Sequence, residues 1–168
     1  MINMKLLIVI VSYNGLELLK KHLPSVLKTN YPEYDVLVVD NGSIDDSVSF
    51  LKKEYPGVKI VENEENLGFG RGNNRGVYEY PDYDAYVFIN NDMSVERNWL
   101  TELVNVVKKE KNVGAIGPKI LYSKKKNGKY VINSAGIELD NHFMGYDRYD
   151  GEYDDAKYNV IEEVEAIC

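Results

Sequence analysis

The sequence predicts an α/β fold with a largely parallel sheet flanked by helices, and two observations lead to this prediction. Continuous apolar, β-branched runs occur at 6–11, 36–39 and 85–89, as expected of strands that are covered on both faces. Segments with apolar residues at helical spacing alternate with these runs, which is typical of parallel sheets with right-handed crossovers. The second half of the chain is rich in strand-like segments, so we expect the sheet to become mixed.

The strands are expected in regular succession along the chain. The predicted segments are 5–12, 34–40, 58–62, 84–90, 113–121, 130–139 and 160–168. A Lys-rich turn containing Asn127-Gly128 should join the fifth and sixth strands as a hairpin. Residues 140–159 are polar, rich in Tyr and Asp, and expected to form loops.

A helix is expected after each of the first four strands, and side-chain caps mark the predicted starts. Asn14, Ser43 and Ser94 occupy N-cap positions, the first two with an acid three residues later as in a capping box. Pro24 should kink or restart the first helix. Pro56-Gly57 should stop the second helix.

Length and composition indicate one globular domain over residues 1–168. The chain is 44% hydrophobic and 28% charged, an ordinary globular composition. No apolar run approaches the roughly 20 residues that span a bilayer. The only cysteine is Cys168, which excludes a disulfide framework, and we expect a cytoplasmic protein.

The charge distribution argues against nucleic-acid binding. The net charge is -7, and residues 138–168 carry ten acids and two bases, so the remaining residues are close to neutral. The only basic cluster, 124–126 with Lys129, is expected to be a solvated hairpin loop.

Three predicted strands end in polar clusters, and ligands of open α/β sheets bind at the carboxyl ends of strands. The clusters are Ser12-Tyr13-Asn14, Asp40-Asn41-Gly42-Ser43 and Asn90-Asn91-Asp92. Turn and cap roles remain the simpler explanation for Asn14 and Ser43. A carboxylate directly after a buried strand is costly unless something binds it, so Asp40 is interpreted as functional.

The segment 68–79 is predicted to be a helix despite its glycines. Each glycine destabilises a helix by about 1 kcal/mol relative to alanine. The stretch contains Gly68, Gly70, Gly72, Asn73, Asn74 and Gly76. Missing side chains would permit close packing on the sheet, or would expose N–H groups to an anionic ligand. Both explanations remain open.

Asp92 is the best candidate for a metal ligand. Mg²⁺ or Mn²⁺ bound to a diphosphate needs only one or two protein carboxylates. An Asx-turn or cap role is the alternative. His22 and His142 lie outside any nucleophile motif, and one cysteine with two isolated histidines cannot form a zinc site.

Four motifs in order resemble the family 2 glycosyltransferases of the GT-A fold. They are Val11-Ser-Tyr-Asn14, Val39-Asp-Asn-Gly-Ser-x-Asp-Asp46, Asn66-x-Gly-Phe-Gly-x-Gly-Asn-Asn-x-Gly76 and Ile89-Asn-Asn-Asp92, with Trp99 and Gly114-Ala-Ile-Gly117 also matching. The Gly/Asn block is similar to the branch that includes bacterial rhamnosyltransferases of surface-polysaccharide assembly. The resemblance implies a Rossmann-like mixed sheet and inverting transfer from a dTDP- or UDP-sugar, for example dTDP-rhamnose, to a glycan or lipid-linked acceptor.

The resemblance also implies roles for individual residues. Tyr13 would stack on the nucleobase, Asp40 would accept a hydrogen bond from the pyrimidine N3–H or the ribose, and Asp92 would hold Mg²⁺ or Mn²⁺. Asn90 and Asn91 would lie near the ribose and the phosphates. The complete predicted nucleotide-sugar-binding set is Ser12, Tyr13, Asn14, Asp40, Gly42, Asn66, Gly68, Gly72, Asn73, Asn90 and Asn91.

The sequence departs from the family pattern in two places. Asn73 stands where many members have an arginine, and Arg71 or Arg75 could compensate. The chain ends where relatives continue into an acceptor-binding half that carries the catalytic base. We therefore expect a truncated chain with no assigned base, open to dimerisation through its C-terminal strand, and acting at the inner face of the membrane.

The sequence is also compared with two alternative functions. A module that binds a nucleotide sugar without transferring it would use the same site residues. A nucleotidyltransferase is disfavoured, because the first strand is not followed by a Gly-rich, Lys- or Arg-bearing loop.

Overall fold

The computed structural model describes residues 4–167. Residues up to Val104 form one compact unit, and residues from Asn105 form a second. The single domain expected over residues 1–168 stays a prediction. No helix within 4–167 is long and apolar enough to cross a membrane.

The first unit contains a sheet of four parallel strands in the order β3-β2-β1-β4. Its elements are β1 (Leu6–Ser12), α1 (Leu16–Val26), β2 (Tyr34–Asp40), α2 (Ser47–Glu54), β3 (Lys59–Glu62), α3 (Gly68–Glu79), β4 (Ala85–Asn90) and the start of α4 (Trp99–Lys109). The strand and helix predictions for this half are confirmed within a few residues, except for the start of α4.

Alternating side chains of the central strands pack on the two faces of the sheet, and helices cover both. On one face Ile8, Ile10 and Val38 pack in a core with apolar residues of three helices. Those helical residues are Leu19, Leu23 and Val26 of α1, Leu51 of α2, and Leu100 and Val104 of α4. On the other face Val9, Leu37 and Val39 form a second core, which α3 covers.

Two glycines of α3 allow the helix to lie directly on the sheet. A Cβ added at Gly76 would lie 3.0 Å from side-chain carbons of both Leu37 and Val9. One added at Gly72 would lie 2.9 Å from Val11 Cγ1. Close helix–sheet packing therefore explains these two glycines, whereas Gly68 and Gly70 have open space where a Cβ would stand.

The predicted caps at Asn14 and Ser43 are wrong. Asn14 has a left-handed backbone (φ 48°), its Oδ1 accepts the Ile44 N–H at 2.9 Å, and Ser43 Oγ accepts the Asn14 N–H at 2.8 Å. Asp45 caps both helices instead. Its carboxylate accepts the Leu16 N–H at 3.0 Å and the Ser47 N–H at 3.1 Å. One carboxylate thus serves the first turns of α1 and α2.

The helix after β4 begins later than predicted. Ser94 does not cap it, because Ser94 Oγ bonds to His22 Nδ1 at 2.7 Å and α4 begins at Trp99. Pro24 neither ends nor restarts α1, which continues to Val26.

The second unit contains short antiparallel pairs. Its elements are the rest of α4, β5 (Ile120–Leu121), β6 (Ile132–Ser134), β7 (Ile137–Leu139), β8 (Gly145–Asp147) and a 3₁₀ turn (Ala156–Tyr158). Strand β5 pairs with β6, and β7 pairs with β8. The predicted hairpin turn is confirmed: Asn127 and Gly128 both have positive φ, and Lys126 and Lys129 exchange backbone hydrogen bonds.

Three strands predicted for this unit are wrong in extent or existence. The strand at 113–121 shrinks to two residues after a segment with Gly117 and Pro118, which lacks an N–H donor. Gly136, at φ 100°, separates the strand at 130–139 into β6 and β7. Within 160–167 the backbone forms only an isolated bridge between Ile137 and Ala166, and Cys168 lies outside the described residues.

We expect Gly76→Ala to destabilise the protein, although alanine is the better helix former. The added methyl group must displace three buried carbons of the sheet, and such overpacking costs about 1–3 kcal/mol. Gly70→Ala is the matched control in the same helix, because nothing lies within 4 Å of its added Cβ. It should be neutral or stabilise by up to about 1 kcal/mol. Urea denaturation of both variants measures the difference, and equal effects would contradict the close packing of α3.

Candidate functional site

The order of the strands defines a switch point at the carboxyl edge of the sheet. The chain moves outward from β1 through β2 to β3, and then returns to place β4 on the other side of β1. The connecting helix α3 accordingly covers the opposite face from α1 and α2. Ligands of open α/β sheets bind in the crevice at such a reversal. The switch point lies between the carboxyl ends of β1 and β4, which is where this rule places a ligand.

The ends of β1 and β4 are joined by a side-chain hydrogen bond. Ser12 is buried, and its Oγ accepts a hydrogen bond from Asn91 Nδ2 at 3.1 Å. Gly15 leaves room for this pair, because a Cβ there would overlap Ser12 Oγ and lie 2.6 Å from Asn91 Nδ2. Ser12 and Asn91 are therefore brought together as predicted for neighbouring strand ends.

The end of β2 holds a buried carboxylate with one oxygen unsatisfied. Asp40 lies beside Ser12 in the strand register and is 3% exposed. Its Oδ2 accepts the Ser43 N–H at 2.9 Å, whereas its Oδ1 is buried and has no hydrogen-bond partner within residues 4–167. A buried acceptor without a donor is unfavourable. A hydrogen-bond donor from outside these residues would satisfy this oxygen.

Asn41 connects the end of β2 to the segment before α3. Its Nδ2 donates to Asn66 Oδ1 at 3.3 Å and to the Gly68 carbonyl at 3.2 Å, and its Oδ1 accepts from Asn63 Nδ2 at 2.8 Å. Asn66 Oδ1 also accepts the Gly68 N–H at 2.9 Å. Asn41 is buried, and a buried amide with both polar atoms paired fixes one arrangement of a loop. The predicted residues Asn66 and Gly68 belong to this network.

Two of the predicted glycines have conformations that other residues adopt with strain. Gly42 has φ 74°, and a Cβ there would lie 3.0 Å from the Glu65 backbone. Gly68 has φ 77° at the start of α3. These glycines shape the rim of the site, and direct ligand contact by either one stays a prediction.

Asn73 provides a second unsatisfied acceptor. It is 6% exposed in the second turn of α3, and its Oδ1 is buried without a hydrogen-bond partner among the described residues. Arg75 forms an ion pair with Glu79 at 2.8 Å, so its guanidinium is already engaged within the helix. Arg71 is exposed one turn earlier.

The remaining predicted residues are exposed at the same edge of the sheet. Tyr13 is 49% exposed, which leaves its ring accessible for stacking. Asn14, Asn90 and Asp92 are also exposed. The structure therefore places every predicted residue at the ends of β1, β2 and β4, on the loops that follow these strands, or on the segment before α3 and its first two turns.

The described residues contain no group of three or more His, Cys, Asp or Glu side chains that could hold a metal ion by themselves. The exposed Asp92 offers a single carboxylate at the end of β4. This donor set does not suit a metal held by protein alone, but it suits an ion that takes its other ligands from a diphosphate and water.

Several side chains that hold these loops carry no clear signal in the sequence. Asn41, Asn63 and Asp45 are absent from the predicted binding set, although the run Asp40–Asp46 contains five polar residues after a buried strand. His22 belongs to no motif, yet it is 7% exposed and bonded to Ser94. Burial lowers the pKa of His22, Lys21 lowers it further, and Asp92 opposes this shift.

Comparison with known proteins identifies the family. The family described as "Glycosyl transferase family 2" matches residues 7–158. The chain belongs to this family. It is 30% identical over 105 residues to the glycosyltransferase AglE of Haloferax volcanii, which covers 60% of this chain and 34% of AglE. It is 30% identical over 109 residues to the O-antigen biosynthesis protein RfbC of Myxococcus xanthus, covering 63% of this chain and 8% of RfbC.

Solved structures support the GT-A-like α/β fold. TarS of S. aureus, solved in complex with UDP-GlcNAc, has a TM-score of 0.58 at 21% identity, covering 72% of this chain and 39% of that one. The mannosyltransferase PcManGT of Pyrobaculum calidifontis, solved with GDP-Man and Mn²⁺, has a TM-score of 0.55 at 22% identity, covering 64% of this chain and 32% of that one. The predicted fold class is confirmed. In each of these matches, the present chain spans well under half of the length of the relative.

The Asp45 carboxyl group should make the stability of the folded protein depend on pH. Burial alone would raise the pKa of this carboxyl, but hydrogen bonds from Ser47 and Leu16 outweigh it and lower the pKa. The stabilisation is present above the unfolded-state pKa of about 3.9 and is lost as the pH falls through the lower folded-state pKa. An asparagine side chain would offer only one acceptor oxygen to the two N–H groups. Asp45→Asn should therefore lower the free energy of unfolding by about 1–2 kcal/mol at pH 7, and by less below about pH 4.

Asp46→Asn is the matched control, since the Asp46 side chain makes no capping hydrogen bond to α2. Thermal unfolding between pH 3 and pH 7 compares the two variants with the wild type. A destabilisation by Asp45→Asn that does not change with pH would contradict the shared-cap assignment.

Proposed function

We propose that this chain is the donor-binding part of a glycosyltransferase and binds a nucleoside-diphosphate sugar at the carboxyl edge of β1, β2 and β4. The unsatisfied Asp40 Oδ1 is the observation that carries this proposal. A buried acceptor at the carboxyl edge of the sheet gains most from a ligand N–H or O–H group. The exposed ring of Tyr13 follows the adjacent strand and would stack on a flat base.

A pyrimidine donor, UDP- or dTDP-linked, fits this acceptor, because uracil and thymine both present an N3–H group. The similarity to TarS, which has been solved with UDP and with UDP-GlcNAc, supports a nucleotide-sugar partner. The sugar of a rhamnosyltransferase-like member would be rhamnose. Guanine also carries an N–H donor, and PcManGT was solved with GDP-Man, so GDP is the comparison that tests base selectivity.

We propose Asp92 as the ligand of Mg²⁺ or Mn²⁺. The ion, when bound with the donor, would neutralise charge on the departing diphosphate. The remaining predicted residues would bind the nucleotide sugar itself: Ser12, Asn14, Gly42, Asn66, Gly68, Gly72, Asn73, Asn90 and Asn91. Support for metal use comes from the Mn²⁺ of PcManGT and from the single-carboxylate donor set.

The proposed reaction is transfer with inversion to a hydroxyl group of a glycan or lipid-linked acceptor, in the synthesis of a cell-surface polysaccharide. Similarity to an O-antigen biosynthesis protein and to a poly-β-1,6-N-acetyl-D-glucosamine synthase of Staphylococcus epidermidis supports this setting. The protein would act on the cytoplasmic face of the membrane. We assign no catalytic base within residues 4–167, so we expect this chain to bind the donor without transferring the sugar.

Titration calorimetry with UDP, dTDP, GDP and N3-methyl-UDP tests the donor site. The wild type should bind UDP or dTDP more tightly with Mn²⁺ than with EDTA, and Asp92→Ala should remove that difference. If Asp40 Oδ1 accepts the N3–H, methylation of N3 should weaken binding by about 10-fold or more, because the buried oxygen stays unpaired.

Asp40→Asn should lose most of this preference for UDP over N3-methyl-UDP. The control is Asp46→Asn, an exposed carboxylate that is not among the predicted binding residues. Failure to bind any of the four nucleotides would contradict the proposed donor site. Equal affinity for UDP and N3-methyl-UDP would contradict the role of Asp40. Sugar transfer to an added acceptor by this chain would contradict the binding-only expectation, and its absence favours the module over a complete enzyme.

We also propose that residues 160–167 support a homodimer. This segment makes one backbone bridge in the described structure, and Val160 and Ile161 are 56% and 68% exposed. Light scattering at increasing concentration should reveal a dimer that Ile161→Lys prevents. A monomer at all concentrations would contradict this part of the proposal.

A further inference from the structure

The residues between β4 and α4 carry the proposed metal ligand, yet they contain little regular structure. The segment 91–98, here called the Asp92 loop, joins Asn90 to Trp99. Its own backbone hydrogen bonds are few: Met93 N–H to the Asn90 carbonyl at one end, and Trp99 N–H to the Glu96 carbonyl at the other. The position of an exposed carboxylate on such a loop depends on what holds the loop.

Side chains of α1 hold the middle of the Asp92 loop. His22 Nδ1 lies 2.7 Å from Ser94 Oγ, and the Val95 N–H donates to Ser25 Oγ at 3.1 Å. Ser25 Oγ in turn donates to the His22 carbonyl at 2.8 Å, which fixes its orientation. The two residues after Met93 are therefore bound by two polar side chains one turn apart on α1.

Residues just after α1 hold the far end of the loop. The Asn30 N–H donates to the Arg97 carbonyl at 2.7 Å, and Asn30 Nδ2 donates to Asn98 Oδ1 at 3.0 Å. Trp99 Nε1 donates to Thr29 Oγ1 at 2.9 Å. With the Asn91–Ser12 bond at the near end, the loop is tied to β1, α1 and the residues after α1 along its whole length.

A buried histidine at this place needs an explanation that packing alone does not supply. His22 lies among apolar residues of α1 that face the core, where a leucine would fill the space without a polar group to satisfy. Because the Ser94 hydroxyl can either donate or accept, the contact with Nδ1 forms with neutral or charged imidazole. The imidazole thus ties the loop in either state.

We propose that His22 and Ser25 are positioning residues that hold Asp92 where the cation of the bound nucleoside diphosphate requires a ligand. The inference rests on the proposed function of Asp92 and adds the residues on which its geometry depends. Residues that orient a metal ligand are typically worth about 10–100-fold in metal affinity. Removing the hydrogen bonds of His22 or Ser25 to the Asp92 loop should therefore reduce the gain in nucleotide affinity that the metal ion provides. The nucleotide affinity without a metal ion should not change.

The experiment compares UDP affinity with Mn²⁺ and with EDTA in four variants. His22→Leu keeps the volume and removes the bond to Ser94, whereas His22→Asn keeps a polar group near the position of Nδ1. Ser25→Ala removes the bond to Val95. Its matched control is Ser49→Ala on α2, because Ser49 Oγ also donates to a carbonyl three residues earlier but does not contact the Asp92 loop.

We expect His22→Leu and Ser25→Ala to reduce the gain in affinity from Mn²⁺ by about 10-fold and to leave the affinity in EDTA within about twofold of wild type. His22→Asn should recover part of the gain, and Ser49→Ala should not change it. Amide hydrogen exchange provides a readout without ligand: the Val95 N–H should exchange faster in Ser25→Ala and His22→Leu, with the sheet amides unchanged.

The outcomes separate this inference from the proposed function. If wild type gains affinity from Mn²⁺, and Asp92→Ala removes the gain but His22→Leu and Ser25→Ala do not, the inference is overturned and the donor site stands. If wild type gains nothing from Mn²⁺, the metal role of Asp92 fails and the positioning role fails with it. Equal losses with Mn²⁺ and with EDTA would mean a general effect on folding and would also overturn the inference.

Discussion

The parallel pairing of β1 with β2 and β4 is the constraint on which the site depends. The register places Ser12 beside Asp40 and Asn90 beside Val11, so the three polar strand ends lie in two adjacent rows at one edge of the sheet. A slip of one residue would turn every side chain to the opposite face and move the apolar residues out of their cores. The burial of Ile8, Val9 and Ile10 on alternating faces therefore fixes the arrangement of the polar edge as well as the core.

The loops above this edge are held by buried and partly buried polar side chains rather than by regular structure. Asn41 ties β2 to the start of α3, Asp45 serves two helices, and His22 with Ser25 ties α1 to the Asp92 loop. Against this background of satisfied groups, the unpaired oxygens of Asp40 and Asn73 stand out among the described residues. Within residues 4–167 these two oxygens are therefore the buried side-chain acceptors that a donor from outside the described residues would satisfy.

The parts of the fold that follow from local pattern were predictable from the sequence. Continuous apolar runs predicted β1, β2 and β4, and the three polar clusters expected at strand ends do lie at one carboxyl edge of the sheet. The glycine-rich helix α3 was predicted, but only the structure shows that Gly72 and Gly76 serve close packing against Val11, Val9 and Leu37, whereas Gly68 and Gly70 have open space. The sequence alone does not show which face of the helix packs on the sheet, so it could not separate the two explanations for the glycines.

The failed helix caps and the missing C-terminal strand share one cause, which is competition from residues distant in the sequence. Asn14 and Ser43 have cap chemistry, but they bond to each other's loops while Asp45 reaches the helix starts. Ser94 bonds to His22, 72 residues earlier, instead of capping α4. The segment 160–167 has an alternating pattern without a neighbouring strand to pair with along its length, and side-chain bonds such as Glu162 to Arg148 attach it instead.

The central claim is that the carboxyl edge of the sheet is a nucleotide site built on Asp40, and backbone NMR of the ¹⁵N-labelled chain tests it most directly. Addition of UDP or dTDP should shift the amide signals of residues 12–14, 40–43, 66–73 and 90–92, and Mn²⁺ should then broaden the signals nearest Asp92. The same titration with Asp40→Asn should give smaller shifts at 40–43. Shifts centred on the second unit, or no shifts at saturating nucleotide, would contradict the account.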